Sequence, residues 1–158
     1  MIVSTANRGD LAALLALEEC GFDGAQRWSA ASWASELDAT GRLVLVSRDA
    51  SGIDAVACFS VTDETAELLR VIVQPAKRDQ GLARRLLGVG KEWAEASGAD
   101  RMLLEVRQDN DPAVALYSSA GFEPISKRRD YYGPGLDAII MVSELQHPAL
   151  AAAGGWLA

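Results

Sequence analysis

The sequence predicts an α/β protein built on a mixed, mostly antiparallel sheet. Apolar residues recur with helical spacing in some segments and form short strand-like runs in others. The resulting order is β-α-α-β-β-β-α-β-α-β-β, in which strands alternate with helices only in the second half of the chain. We therefore expect a mixed sheet with helices on both of its faces.

The first half begins with a short strand and two helices. Apolar Leu11, Leu14 and Leu17 recur on one side of a predicted helix over residues 7–20, and Asp10 suits its positive N-terminal end. Ser29 is a plausible N-cap for the second helix. Hairpin-like breaks at 49–52 and 63–64 separate the strands that follow. The predicted ranges are a strand at 2–5, helices at 7–20 and 29–37, and strands at 42–48, 53–62 and 65–74.

The second half contains a long helix, a strand, a shorter helix and two final strands. Gly98 is a suitable C′ residue for the long helix, and Gly121 for the shorter one. Asp109 is a candidate N-cap for the shorter helix. The predicted ranges are a helix at 80–97, a strand at 102–106, a helix at 109–120, and strands at 122–129 and 138–144.

The 158 residues are enough for one ordinary domain with a real core. We assign residues 1–147 to that domain and expect the tail 148–158, which is rich in Ala and Gly, to be flexible. We see no internal repeat or linker. The expected oligomeric state is a monomer or a weak dimer.

The acidic balance bears on the partners that the protein can have. A net charge of −7 argues against nucleic acid, because binding phosphates needs a basic face. The same charge suits a basic peptide or an amine, and it equally serves solubility alone. No signal peptide or membrane-spanning run is visible, so we expect no membrane partner and a cytoplasmic location.

Cysteine and histidine are scarce in this chain. Cys20 and Cys58 are far apart without a metal-ligand spacing, and Cys58 lies in an apolar run typical of a buried strand. The only histidine, His147, follows the last predicted strand. We therefore expect no metal, no disulfide framework and no mechanism that depends on histidine.

A strand, a polar loop and a helix follow one another between Val71 and Leu87. Arg78, Gly81 and Ala83 occupy this loop with the spacing Arg-x-x-Gly-x-Ala. A helix N-terminus offers backbone N–H groups and a positive dipole end to an anion, and the small side chains allow close approach. The Gly-Lys-Ser/Thr of a triphosphate loop and the three-glycine dinucleotide fingerprint are both absent. An ordinary strand-to-helix turn is the alternative.

Three polar residues lie in or near the shorter helix. Glu105 interrupts an apolar strand, where it is either a general base at a cleft or a paired surface glutamate. Tyr117 is either a proton donor to a leaving thiolate or a packing aromatic residue. Asn110 either meets a ligand or caps the helix.

Taken together, these residues resemble the GNAT acetyltransferase superfamily from Ile2 to about Leu145. The chain is most similar to its RimI-type ribosomal-protein alanine N-acetyltransferases. The matching blocks are Arg78-x-x-Gly81-x-Ala83, Leu104-Glu105-Val106-Arg107, Asn110, Ala115-Leu116-Tyr117 with Gly121-Phe122, Arg128-Arg129-x-Tyr131-Tyr132, Asp137-Ala138-Ile139-Ile140-Met141, and Arg27-Trp28-Ser29 with Glu36-Leu37.

The resemblance implies a GNAT fold and acetyl-CoA-dependent transfer to the N-terminal amine of a protein, with alanine first and a basic ribosomal protein as the expected partner. It implies Glu105 as general base and Tyr117 as general acid, with Tyr131 and Tyr132 lining the peptide entrance opposite the loop between the first two helices. The implied cofactor-binding residues are Val71, Ile72, Val73, Arg78, Gly81, Ala83, Arg84 and Asn110.

The chain departs from the family pattern at a few positions. Ala83 stands where many members have a second glycine, Asp130 where Asn is more usual, and 133–135 forms a compact last loop. The basic run 127–129 suits a solvated strand edge. Two other functions stay open: acetylation of a small-molecule amine, and acyl-CoA binding without catalysis. Lysine side chains are less favoured acceptors because their amine has a pKa near 10.4.

Overall fold

Residues 1–146 are described by a computed structural model and follow the predicted order of elements. The elements are β1 Ile2–Thr5, α1 Leu11–Gly21, α2 Ala30–Asp38, β2 Arg42–Asp49, β3 Gly52–Thr62, β4 Thr65–Val73, α3 Leu82–Ala96, β5 Arg101–Arg107, α4 Asp111–Ser119, β6 Glu123–Arg128 and β7 Ala138–Glu144. Short 3₁₀ turns occupy Arg8–Asp10, Gly24–Gln26 and Pro75–Lys77. His147 and the predicted flexible tail lie outside the described residues.

The strands form a seven-stranded sheet in the order β1-β2-β3-β4-β5-β7-β6. The pairs β1–β2, β2–β3, β5–β7 and β6–β7 are antiparallel. The pair β4–β5 is parallel, with Thr65–Glu67 beside residues 101–103. The prediction of a mixed, mostly antiparallel sheet is therefore confirmed.

The chain packs as two compact units. The first contains Met1–Ser60 and Leu68–Gly90, and the second contains Val61–Glu67 and the described residues from Lys91 onward. The assignment of residues 1–147 to a single domain stays a prediction.

The core of the first unit joins the two N-terminal helices to the sheet. Leu14 and Leu17 of α1 and Trp33 of α2 are buried together with Val46 and Val56. Buried aromatic and aliphatic side chains of this size supply most of the free energy that stabilises such a unit. The predicted cap of α2 is confirmed, because the Ser29 hydroxyl accepts a hydrogen bond from Ser32 N at 3.1 Å.

Two predicted helix starts are wrong. The first helix begins at Leu11, because Asn7 instead caps a 3₁₀ turn and the Asp10 carboxylate accepts from Asn7 N at 2.9 Å. The cap of α4 is Asn110 instead of Asp109. The Asp109 carboxylate binds the Arg107 guanidinium at 2.9 Å, so it does not serve the helix end.

In the second unit, β5 alternates between a buried and a more open face. Met102, Leu104 and Val106 are buried, whereas Glu105 lies on the other face and is exposed.

The outermost strand is β6, and all six of its residues are exposed. Its pairing with β7 is irregular between Pro124 and Ser126. The basic run that begins at Lys127 therefore includes residues of an exposed sheet edge, as predicted.

Two glycines of α3 have opposite surroundings within the first unit. A Cβ on Gly90 would lie 2.1 Å from Cζ of Phe59, whose ring is fully buried. A Cβ on Gly88 would meet nothing within 4 Å.

The predicted helix stop at Gly98 is confirmed by its φ of 93°. Within residues 1–146, no helix combines the length and the apolar character needed to cross a membrane.

Candidate active site

The predicted anion loop lies in the first unit, at the N-terminus of α3. Gly81 has a φ of +79°, a conformation that suits glycine, and the space beside its Cα is open. Its carbonyl accepts the first helical hydrogen bond, from Arg85 N at 3.0 Å. The amides of Leu82 and Ala83 therefore belong to the first turn, whose N–H groups have no acceptor within the helix. This geometry fits a phosphate group.

The residues before this turn bind one another. The exposed side chain of Arg78 donates from Nε to the carbonyl of Val73 at 3.2 Å. The carbonyl of Val73, one of the backbone groups expected to face the cofactor, is thus hydrogen-bonded to Arg78. Ile72 is buried in the core, and Val71 is half-buried. A role for these residues and for Arg84 in cofactor binding stays a prediction.

A pair of carboxyl groups lies next to the Pro75–Lys77 turn. Lys77 Nζ binds the Asp49 carboxylate at 3.1 Å, and the Asp54 carbonyl accepts from Gln74 N at 2.8 Å. Burial, with the neighbouring Asp49, raises the pKa of Asp54. Hydrogen bonds from Ser51, with the Lys77 ammonium, lower the pKa of Asp49. The β2–β3 hairpin thereby supports the turn that leads into the anion loop.

Glu105 lies in the second unit and is an exposed, paired carboxylate. Arg128 Nη1 donates to Glu105 Oε1 at 2.9 Å, and the Arg128 Cζ lies 4.7 Å from the centre of the Tyr131 ring. A hydrogen bond with Glu105 raises the pKa of Tyr131. The structure thus brings the predicted base together with one predicted peptide-lining residue. Sequence reasoning missed Arg128 as their partner, because it had placed this residue in a solvated basic run.

Tyr117, the predicted acid, is buried with 7% of its surface exposed. Its ring packs edge-on against Phe122 at 6.0 Å, which agrees with the packing role that the sequence left open. Burial raises its pKa, and the nearby Tyr132 adds to the shift. The hydroxyl therefore keeps its proton at neutral pH.

The two predicted peptide-lining tyrosines lie within a tightly closed loop between β6 and β7. The rings of Tyr131 and Tyr132 meet edge-on at 5.0 Å. Asp130 N donates to the Asp137 carboxylate at 2.9 Å, and the Asp130 carboxylate accepts from Gly135 N at 2.7 Å. Asp130 itself has a φ of 53°, which Asn and Asp tolerate best among residues other than glycine. Asp130, which stands where Asn is more usual in the family, therefore maintains the turn of this loop.

Asn110 caps α4, as the Asn110 Oδ1 accepts from Ala113 N at 3.2 Å. The capping role left open by the sequence is thus present, and cofactor contact by Asn110 stays a prediction.

Among residues 1–146, no three His, Cys, Asp or Glu side chains are grouped so as to hold a metal ion.

Sequence reasoning also missed a buried ion pair in the first unit, between Glu18 of α1 and Arg70 of β4. Glu18 lies one helical turn beyond Leu14 and therefore on the buried face of α1. A buried carboxylate needs a cationic partner, so a glutamate on the apolar face of α1 was the sequence feature that could have predicted this ion pair.

Comparisons with known proteins agree with the resemblance. Residues 12–122 match the Acetyltransferase (GNAT) family. The N-alpha-acetyltransferase RimI of Mycobacterium tuberculosis is 31% identical over 152 residues, which cover 93% of this chain and 94% of that protein. An uncharacterised Mycobacterium leprae protein is 35% identical over 92% of this chain, but this chain spans only 41% of that protein's length.

A solved structure is similar over nearly the same range. The crystal structure of the ribosomal-protein-S18-alanine N-acetyltransferase from Escherichia coli superposes with a TM-score of 0.82 at 32% identity. It covers 92% of this chain, which in turn covers 94% of that one. The matched family spans more than half of the sequence, and a full-length relative exceeds 30% identity. The chain belongs to the GNAT acetyltransferase family.

Proposed function

We propose that this protein is an acetyl-CoA-dependent N-α-acetyltransferase whose acceptor is the N-terminal amine of a protein, with alanine first and a basic ribosomal protein as the target. The observation that carries the proposal is the cluster of Glu105, Arg128 and Tyr131, in which the candidate base meets a candidate peptide-lining residue. The relatives named for alanine N-acetylation of ribosomal protein S18 support this choice of acceptor.

Acetyl-CoA, when bound, supplies the acetyl group as a thioester. The first turn of α3 fits its pyrophosphate, since Gly81 leaves open space and the Leu82 and Ala83 amides lie at the positive end of the helix. Arg78 and Arg84 add positive charge near this turn. These residues bind and orient the donor.

The acceptor amine must lose a proton before it attacks. An α-ammonium group has a pKa near 8, so a modest base is sufficient at neutral pH. In the proposal, Glu105 takes this proton, through a water molecule, while Arg128 and Tyr131 fix the orientation of its carboxylate. Tyr117 then gives its hydroxyl proton to the departing sulfur.

Single substitutions at the two catalytic positions test the proposal. We expect Glu105→Gln and Tyr117→Phe each to lower kcat about 100-fold or more, the usual contribution of a general base or acid. Glu67→Gln is the matched control, because Glu67 is an exposed strand glutamate outside the cluster. Product is measured by mass spectrometry on peptides that differ in their first residue, with acetyl-CoA as donor.

The same assay distinguishes the other candidate functions. Acetylation of polyamines or aminoglycosides in place of peptides would indicate a small-molecule acetyltransferase. Acetyl-CoA binding without product on any acceptor would indicate a binding module. Unchanged rates in both variants would refute the assigned roles of Glu105 and Tyr117. The cytoplasmic location stays a prediction.

A further inference from the structure

We propose that Arg70 is a positioning residue for the acceptor: with Glu18 it holds the segment 22–28, between α1 and α2, beside Ile72 of β4, which is expected to bind the cofactor. This inference rests on the proposed function. It adds two residues, neither of which has an assigned role in the reaction.

The Glu18 carboxylate is the fixed point of this arrangement. It is 1% exposed and accepts four hydrogen bonds. Two come from Arg70, from Nε at 3.0 Å and from Nη2 at 2.7 Å. The others come from Trp33 Nε1 and Trp28 N, each at 3.1 Å. A buried carboxylate with this many donors has one defined orientation.

Arg70 links the Glu18 carboxylate to the segment 22–28. Its Nη2 also donates to the carbonyl of Gln26, and its guanidinium lies 3.4 Å from the centre of the Phe22 ring and 5.0 Å from that of Trp28. One side chain therefore contacts the beginning, the middle and the end of the segment. Such stacking and bonding need the planar fork of arginine, which lysine lacks.

The location of the segment links it to the acceptor. Gly21, the last residue of α1, lies so close to Ile72 that a Cβ there would be 2.7 Å from Ile72 Cγ2. The resemblance implies Ile72 as a cofactor-binding residue, so this part of β4 is expected to lie beside the bound donor. An amine that approaches this strand thus passes next to the segment. Phe22 and Trp28 are only half-buried and are available for contact.

A segment held in advance lowers the cost of binding, because the acceptor does not have to order it. Loss of the Arg70 contacts should therefore weaken binding of the acceptor more than it slows the chemical step. The anion loop at Gly81 does not depend on these contacts, so binding of acetyl-CoA should change little.

The test compares two Arg→Lys substitutions in the full protein. Arg70→Lys removes the fork that holds the segment. Arg48→Lys is the matched control, because Arg48 also forms a bidentate pair, with Asp10 at 2.7 and 2.9 Å, away from residues 22–28. We expect Arg70→Lys to raise KM for an Ala-starting peptide about tenfold or more, while KM for acetyl-CoA and kcat stay within about threefold. Arg48→Lys should leave all three values close to wild type.

Hydrogen exchange of the amides in residues 22–28 gives a readout that does not depend on activity. We expect faster exchange in Arg70→Lys and wild-type rates in Arg48→Lys. If Arg70→Lys does not fold, Phe22→Leu replaces it, because that variant removes the ring beneath the guanidinium and leaves the Glu18–Arg70 pair intact. Faster exchange of residues 22–28 is then the deciding result, because Phe22 itself is available for contact with the acceptor; unchanged exchange would overturn the inference.

Two results would overturn the inference while leaving the proposed function standing: unchanged peptide KM and exchange in Arg70→Lys, or equal changes in both Arg→Lys variants. A wild-type protein that acetylates no peptide would instead refute the proposed function, and the role of Arg70 in acceptor binding with it.

Discussion

Gly90 allows a sharp prediction about stability, because glycine inside a helix normally lowers stability. Replacing such a glycine by alanine gains about 1 kcal/mol of helix propensity. At Gly90, however, the new methyl group would lie 2.1 Å from Phe59 Cζ and within 2.5 Å of two further ring carbons. The ring must move, and overpacking of this kind costs typically about 1–3 kcal/mol, occasionally more.

The free energy of unfolding should therefore fall in Gly90→Ala, by up to about 2 kcal/mol once the propensity gain of about 1 kcal/mol is subtracted. Gly88 is the matched control in the same helix, since a Cβ there meets nothing within 4 Å. Gly88→Ala should stabilise the protein by up to about 1 kcal/mol. The propensity gain is common to both variants, so Gly90→Ala should be less stable than Gly88→Ala by the overpacking cost, roughly 1–3 kcal/mol.

Urea unfolding followed by circular dichroism measures both values. Placing Gly90→Ala in a Phe59→Leu background should recover part of the loss, because a smaller side chain leaves room for the methyl group; a double-mutant cycle gives this coupling. The reasoning is refuted if Gly90→Ala is as stable as Gly88→Ala, or if its cost is the same with and without the Phe59 ring.

Two further predictions concern ionisable side chains. Alkylation of the native protein should modify Cys20, which is exposed, and should not modify Cys58 until the protein unfolds. Cys58 is buried, and burial raises the pKa of its thiol. Equal labelling rates of the two cysteines, measured by mass spectrometry, would contradict this prediction. Asp54→Asn should change the pH dependence of unfolding: the raised pKa of Asp54 contributes stability that is complete below about pH 3.9 and is lost as the pH rises through the raised value. Wild type should therefore lose stability relative to Asp54→Asn as the pH rises above about 4 in urea titrations, and parallel curves would exclude this role.

Local chemistry explains which parts of the fold the sequence could predict. Ser29 and Gly98 act within one or two turns of their own helices, so their roles as N-cap and stop followed from neighbouring residues. Asp109 does not cap the helix because its carboxylate pairs with Arg107. Residue propensities for the N-cap position do not distinguish a carboxylate that caps a helix from one that forms an ion pair. The order of elements depended on such local signals and was correct throughout.

The candidate site was less predictable because its partners are distant in sequence. The pair Glu105–Arg128 joins residues 23 positions apart, and the pair Glu18–Arg70 joins residues 52 positions apart. Pairing of this kind depends on the strand order of the sheet and on the packing of α1, which periodicity does not give. The candidate residues of the site were predicted from motif spacing and the family resemblance, whereas the contacts between them required the structure.

The outermost strand, β6, has a consequence for how the protein behaves at high concentration. A free strand edge is a template on which a further chain can add and from which fibrils can grow. Here Pro124 lacks the N–H that such an addition needs, the irregular pairing at Pro124–Ser126 distorts the ladder, and Lys127 and Arg128 repel a second identical edge. Ile125 can therefore stay 56% exposed to solvent without turning the strand into a nucleus for aggregation.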